Sequence, residues 1–253
     1  MMLSRLRTLG MVLGVIGVIG VIGGGYGYLQ IQRGAAALQG FSEAQDVKLS
    51  YNDQGNLVDR GTEEGAAEIL SLLQDTWHWP VVKSELNPND PLVNTGTEYM
   101  YQMATVAMHT LHGEQKVTLD KRAEWDGNGD KKIDPAAKVL SPKTLPEGKW
   151  DPAVEGMKVD VVFEPGTYVV PVEERYWTDF TRTHPLDGPT RELAWTGTVH
   201  GLFAELGVGA TTAAALQLGQ ALAFVAIAFG AAFLITGAGL VWAVTPQQTE
   251  VTA

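Results

Sequence analysis

The sequence predicts a single extracytoplasmic α+β domain carried between two transmembrane helices, and three observations predict it. Residues 9–32 and 206–249 contain no Asp, Glu, Lys, Arg or His, and each stretch exceeds the ~20 apolar residues that cross a bilayer. Between them lie 28 of the 29 acids and 16 of the 18 basic residues, a net charge of −12. Within that charged segment, helical and strand periods of hydrophobicity both occur.

The predicted order is a cytoplasmic N-terminus over 1–8, a first span over 9–31 and an extracytoplasmic domain over 32–205. An outer interfacial helix over 206–217, a second span over 218–243 and a cytoplasmic tail over 244–253 follow. Arg5 and Arg7 precede the first span with no acid beside them, which places that end on the cytoplasmic side. Tyr26, Tyr28 and Trp242 fit interfacial belts. A signal peptide is the rival for the first span, with Ala35–Ala37 as its cleavage region. The apolar stretch exceeds the ~7–15 residues of a signal core, and Gln30, Gln32 and Arg33 separate it from those alanines, which favours an uncleaved anchor.

The first span repeats Gly-Val-Ile, with Gly14, Gly17, Gly20 and Gly23 at every third position and spacings of four at Gly10/Gly14, Gly20/Gly24 and Gly23/Gly27. Lipid tails are as apolar as leucine, so helices associate in bilayers by close backbone approach, which glycine permits. The same glycines are also simply frequent in membrane helices. The expected partner is the second span, another membrane protein or a second copy of the chain. The absence of ionisable residues in both spans argues against a transporter or channel.

Inside the charged segment, Val47, Leu49 and Tyr51 alternate as a short strand within Phe41–Tyr51. Ala66, Ile69, Leu70 and Leu73 keep a helical period over Thr62–Asp75, with Glu63 and Glu64 in its first turn. Asn87–Pro91 reads as a loop. Thr95-Gly-Thr-Glu98 is a capping-box pattern, opening a helix of Met100, Met103, Ala107, Met108 and Leu111 that Gly113 closes. Met157, Val159, Val161 and Phe163 alternate, and Pro165-Gly166 predicts a type II turn into a second strand over Tyr168–Val172. From about Pro189 the chain returns to helix.

The sharpest polar cluster is Asp126-Gly-Asn-Gly-Asp-Lys-Lys-Ile-Asp134. Asp126, Asn128, Asp130, Lys132 (through its carbonyl) and Asp134 fall at the spacing of oxygen ligands in a calcium-binding loop. Lys131 replaces the usual glycine and Ala137 the closing glutamate, and the same residues make an ordinary solvated turn. Calcium is the one cofactor this spacing offers. His109 and His112, one turn apart near three methionines, are an alternative metal pair that lacks a third ligand, and those methionines read equally as core filler. Trp77–Pro80 and Arg175–Phe180 are aromatic clusters of the kind that plug a core edge.

The chain has no cysteine, which excludes disulfides and thiol chemistry. Its acidity argues against nucleic acid as a partner. No nucleophile elbow, phosphate loop or zinc-protease motif is present, so an enzyme is not expected. The Gly-rich anchor, the segment Val162–Val172 and Ala194-Trp-Thr-Gly-Thr-Val-His-Gly201 before a final span resemble two-span envelope membrane proteins of high-GC Gram-positive bacteria. That resemblance implies a cell-envelope setting and no known activity. The expected function is a non-enzymatic accessory or scaffolding subunit of a membrane complex. The alternatives are a ligand-sensing or calcium-stabilised binding ectodomain and, after it, a metal-dependent enzyme.

Overall fold

A computed structural model describes residues 2–150 and 157–245. It is a mixed helix and sheet protein, with two long apolar helices at its ends and a small sheet domain between them. The chain divides into two units, one comprising the described residues of Met1–Lys48, Leu92–Gly96 and Gly209–Ala253, the other Leu49–Pro91 and Thr97–Val208.

The first unit is built on helix α1, Met2–Gln45. Its sequence has no proline before Pro80, and Ala35–Leu38 supplies strong helix formers beyond the apolar run. The helix therefore continues through residues 41–45, where alternation predicted a strand, and only isolated bridges at Lys48 and Tyr51 remain of that strand. It ends where Asp46 turns left-handed, at φ 51°, and its N–H donates to Ser42 O at 2.9 Å.

The last helix runs unbroken from Gly197 to Ala243, so the interfacial helix and second span read from the sequence are one element. The tail from Pro246 lies outside the described residues. Both terminal helices are long and apolar enough to cross a membrane.

These two helices pack antiparallel on glycine. A Cβ built on Gly17 would stand 2.6 Å from Leu234 N and 2.7 Å from Gly230 O. One on Gly10 would stand 2.7 Å from Gly237 O, and one on Gly24 2.9 Å from Ala223 O. Gly10, Gly17 and Gly24 on one helix face Gly237, Gly230 and Ala223 on the other, each set spaced by seven residues, the period that keeps one seam against a partner. Beyond them, Gly219 meets Ile31 and Gly34 meets Leu216. Among the described residues, Gly23, Gly25 and Gly27 meet nothing within 4 Å.

Gly17→Leu or Gly230→Leu therefore overpacks the seam against backbone, at a cost of about 1–3 kcal/mol or more. Gly23→Leu leaves it untouched. Melting of the detergent-solubilised chain is expected to separate the two classes.

The second unit opens with α2, Glu63–Ser71, capped by Thr62, whose Oγ1 accepts from Gly65 N at 3.1 Å. A π-helical turn, Leu72–Thr76, extends it, and Ala66, Ile69 and Leu73 are buried. Helix α3, Gly96–Leu111, follows a turn at Asn87–Asp90 and buries Tyr101, Ala104, Ala107 and Leu111.

Five short strands come next: β1 Glu114–Leu119, β2 Ala123–Trp125, β3 Lys138–Leu140, β4 Val161–Phe163 and β5 Gly166–Pro171. The hairpin read between residues 157 and 172 does not form. β5 pairs antiparallel with β1, whereas β4 lies between β2 (antiparallel) and β3 (parallel) in a separate sheet. All three residues of β4 are buried, the mark of a strand covered on both faces. The alternation also inverts just before it, with Val159 half-exposed and Asp160 buried.

Phe163, Tyr168 and Trp150 form the centre of the core between these sheets, with Val117, Leu140 and Leu186. The Tyr168 hydroxyl lies 2.8 Å from Glu164 O and 3.1 Å from Leu140 O, and burial pushes its pKa up to about 12. After β5 comes α4, Asp187–Ala194, which stops at Trp195 before the long helix, α5, starts at Gly197.

Candidate functional site

The second unit holds two clefts of about 410 Å³ each that share Leu111, His112 and Glu174. The first is bounded by Glu68 and Leu72 from α2 and its π-turn, by Met108 from α3 and His112 just past its end, and by Tyr176. Residues four apart along a helical stretch share a face, which is why each pair falls together. The second cleft continues past Glu114, Lys149 and Glu173. Lys149 is paired there with Glu114, which raises the pKa of its amine.

The turn that closes the clefts is strained. Glu173 and Glu174 have φ of 52° and 60°, left-handed values that two-residue turns normally assign to Asn and Gly. The turn is held because Val172 N donates to Gly113 O at 2.9 Å and Glu174 N to Leu111 O at 3.0 Å. Glu174 is thereby set beside His112, with Oε1 3.7 Å from Nε2. Its neighbour Tyr176 accepts from Trp77 Nε1 at 3.1 Å. The Ser71 hydroxyl donates to Asp75 at 2.7 Å.

His109 and His112 part company. His109 Nε2 lies 2.8 Å from Asp59 Oδ2, whereas His112 Nδ1 lies 3.1 Å from Met108 O. Asp59 reaches His109 from the tight turn Asp59–Thr62, whose central residues Arg60 and Gly61 both have positive φ. Burial, and then the Asp59 charge, raise the nearby Tyr101 phenol far above its ordinary pKa. The Tyr101 and Tyr51 hydroxyls are buried without a hydrogen-bond partner among the described residues.

The residues 126–134 form a self-bonded loop. Asp126 accepts from Gly129 N and Lys131 N, both at 2.6 Å. Asn128 accepts from Asp130 N and Asp130 from Lys132 N, each at 2.9 Å. Asp134 accepts from Ala136 N at 2.8 Å. Asp160, which the sequence did not single out, ties the loop down by accepting from Gly127 N at 3.2 Å and Asp134 N at 2.8 Å. The loop lies so close to the segment leading into β4 that a Cβ on Gly127 would stand 2.2 Å from Val159 O. Among the described residues no group of three or more His, Asp or Glu is gathered closely enough to hold a metal ion.

The chain matches no protein-family model, no curated protein and no solved structure. The site must be read from its own chemistry.

The aromatic cluster at Arg175–Phe180 packs on a core edge, with Phe180 buried and Tyr176 and Trp177 partly buried. Arg175 pairs with Asp187, donates to Val172 O and Pro171 O, and lies 4.2 Å over the Phe180 ring. Arg191 lies 3.8 Å over Trp177. Trp77 meets Phe203 edge-on at 6.4 Å. His184 stacks on Trp150 at 4.6 Å, and its Nδ1 accepts from Leu186 N and Asp187 N, both at 3.1 Å. Among these groups the aromatic and cationic side chains pack, and the His112 clefts are open to a ligand.

Proposed function

We propose that this protein is a non-enzymatic accessory subunit of a cell-envelope membrane complex, anchored by α1 and α5 with its sheet domain outside and both helix ends at the cytoplasmic face. The glycine seam carries the reading. It joins two helices into an antiparallel pair whose outward residues, among them Ile19, Ile22, Phe229 and Ile235, are apolar and exposed.

The polar markers agree in level. Gln30, Gln32 and Arg33 flank Ile31 on α1, and Gln217 and Gln220 flank its partner Gly219 on α5. From Gly10 to Gln30 a helix rises about 30 Å, the hydrocarbon thickness of a bilayer. Tyr28 and Phe224, with ring centroids 5.3 Å apart, lie just inside the polar level. Because the seam is used within the chain, contact with a partner falls to the outward helix faces and the sheet domain.

A chain without cysteine suits a labelling test. On intact cells a membrane-impermeant maleimide is expected to label Asp120→Cys, and Leu3→Cys only after permeabilisation; the reverse pattern overturns the orientation. Cross-linking in native membranes through the thiol introduced by Asp120→Cys is expected to capture a second membrane protein or a second copy. Recovery of the lone monomer alone overturns the accessory role.

A further inference from the structure

A groove runs along the helix pair at its Arg7 end. Its volume is about 770 Å³, and its walls are apolar, with Met11, Gly14 and Val18 on α1 and Leu234 and Ala238 on α5. Gly14 opens it. In the seam, a Cβ on Gly237 would stand 2.7 Å from Gly14 N, yet a Cβ on Gly14 itself would meet nothing within 4 Å. A side chain at residue 14 would therefore enter the groove and leave the seam alone.

The groove ends at polar donors. Gly10 lies against Val241 and the helices run antiparallel, so Trp242 and Thr245, which line the groove, stand level with Gly10 and Arg7. Arg7, Met11, Gly14 and Val18 are spaced by four, three and four, which puts Arg7 on the groove face of α1. Arg7 is exposed and forms no ion pair among the described residues. No Asp or Glu occurs on α1 before Glu43 or on α5 after Glu205. Trp242 is 75% exposed, and its indole N–H has no partner among the described residues.

An unpaired cation and a free N–H donor at the end of an apolar slot match an anionic amphiphile. Phosphate oxygens only accept, and a guanidinium meets them with a fork of donors. The level agrees, because Arg7 lies one helical turn beyond the ~30 Å of hydrocarbon that Gly10 to Gln30 spans. We propose that this groove seats one anionic phospholipid, its phosphate at Arg7 and Trp242 Nε1 and an acyl chain along Gly14. The site goes beyond the accessory role and rests only on the membrane placement of α1 and α5, which the labelling test examines separately.

The full chain in neutral detergent is titrated with phosphatidylglycerol and with phosphatidylcholine of the same acyl chains, and native mass spectrometry counts the lipids retained. One phosphatidylglycerol is expected to bind about fivefold more tightly than phosphatidylcholine, the attraction of one arginine for an anionic headgroup. Arg7→Gln is expected to erase that preference. Arg33→Gln, which removes the same charge at the other polar level, keeps it. Gly14→Leu fills the groove and is expected to abolish the first bound lipid, whereas Gly23→Leu, at a glycine that also meets nothing within 4 Å, leaves it. Arg7 is exposed, so its variant keeps the fold and decides the matter even where Gly14→Leu melts early. Equal binding of the two lipids, a preference that survives Arg7→Gln, or undiminished binding in a folded Gly14→Leu overturns the proposal. A lipid-free dimer also overturns it and assigns the groove to a second copy.

Discussion

Asp187→Ala is expected to cost about 3–5 kcal/mol of stability, the loss found when one partner of a buried ion pair is removed. Asp187 is 1% exposed at the start of α4. One carboxylate oxygen pairs with Arg175, and the other accepts from Thr181 N at 2.6 Å. The guanidinium is committed on every side, to two backbone carbonyls at 2.8 and 2.9 Å and to the Phe180 ring. It cannot follow its counter-ion into water without undoing the turn that carries Glu173 and Glu174. Truncating Asp187 therefore leaves a charge buried and an amide unbonded.

Denaturant unfolding of the full chain measures the cost. Replacing the pair by apolar residues, Arg175→Met with Asp187→Leu, is expected to recover much of the loss, because it removes the desolvation penalty as well as the attraction. A cost below about 1 kcal/mol for the single variant contradicts the buried-pair account.

Acid is expected to unfold the sheet domain through His184. The ring is 2% exposed, and burial, with a smaller contribution from the Arg175 charge, lowers its pKa to about 3 from an ordinary value near 6.5. Its Nδ1 accepts two backbone N–H groups, so protonation there forfeits both bonds and places a cation between aromatic rings. The folded state holds its proton more weakly than the unfolded state. Stability is thus fully present above pH 6.5 and declines as pH falls from 6.5 toward 3, by about 2 kcal/mol at pH 5. Melting midpoints between about pH 7 and 4.5 test this, an interval that brackets the ordinary histidine pKa. His184→Gln, which keeps a backbone acceptor without a titrating ring, is expected to be less stable at neutral pH and to flatten the slope over that interval. An unchanged slope sinks the assignment.

The elements legible in the sequence were those whose burial follows a local period. α2 and α3 appear where Ile69, Leu73, Ala107 and Leu111 repeat, and both are buried as that repeat requires. The two terminal helices follow from length and apolarity alone. The strands did not follow, because partners across a sheet are chosen by the whole chain. Pro165-Gly166 looks like a hairpin turn, yet it passes the chain from one sheet to another. Val159 falls on the apolar side of the alternation over 157–163, yet it is half-exposed and Asp160 is the buried residue, since its two oxygens have loop amides to accept from.

The glycine seam hid behind a shorter repeat. A Gly-Val-Ile triplet advances about 300° around a helix, so its glycines wind away from any one face. Gly17 and Gly20 both meet Gly230 before the triplet turns away at Gly23, and Gly10, Gly17 and Gly24, spaced by seven, carry the seam along the helix. The candidate site was the least legible part. His112 was recognisable, but as a metal ligand, and Glu68 and Glu174 line its cleft from segments far apart in sequence. Glu173 and Glu174 look like solvated acids until their left-handed backbone is seen.

Because Gly34 still touches Leu216 above the polar level, the chain leaves the helix pair and returns to it at adjacent points. The intervening domain is thus a tether as well as a cargo. It holds α1 and α5 at an effective concentration of the order of millimolar, so a seam of modest intrinsic strength suffices to keep them paired. Cutting the chain between β2 and β3 leaves that tether intact as long as the sheets stay folded. Unfolding a cut domain makes the pairing bimolecular, and the glycine seam must then hold at whatever density the membrane supplies.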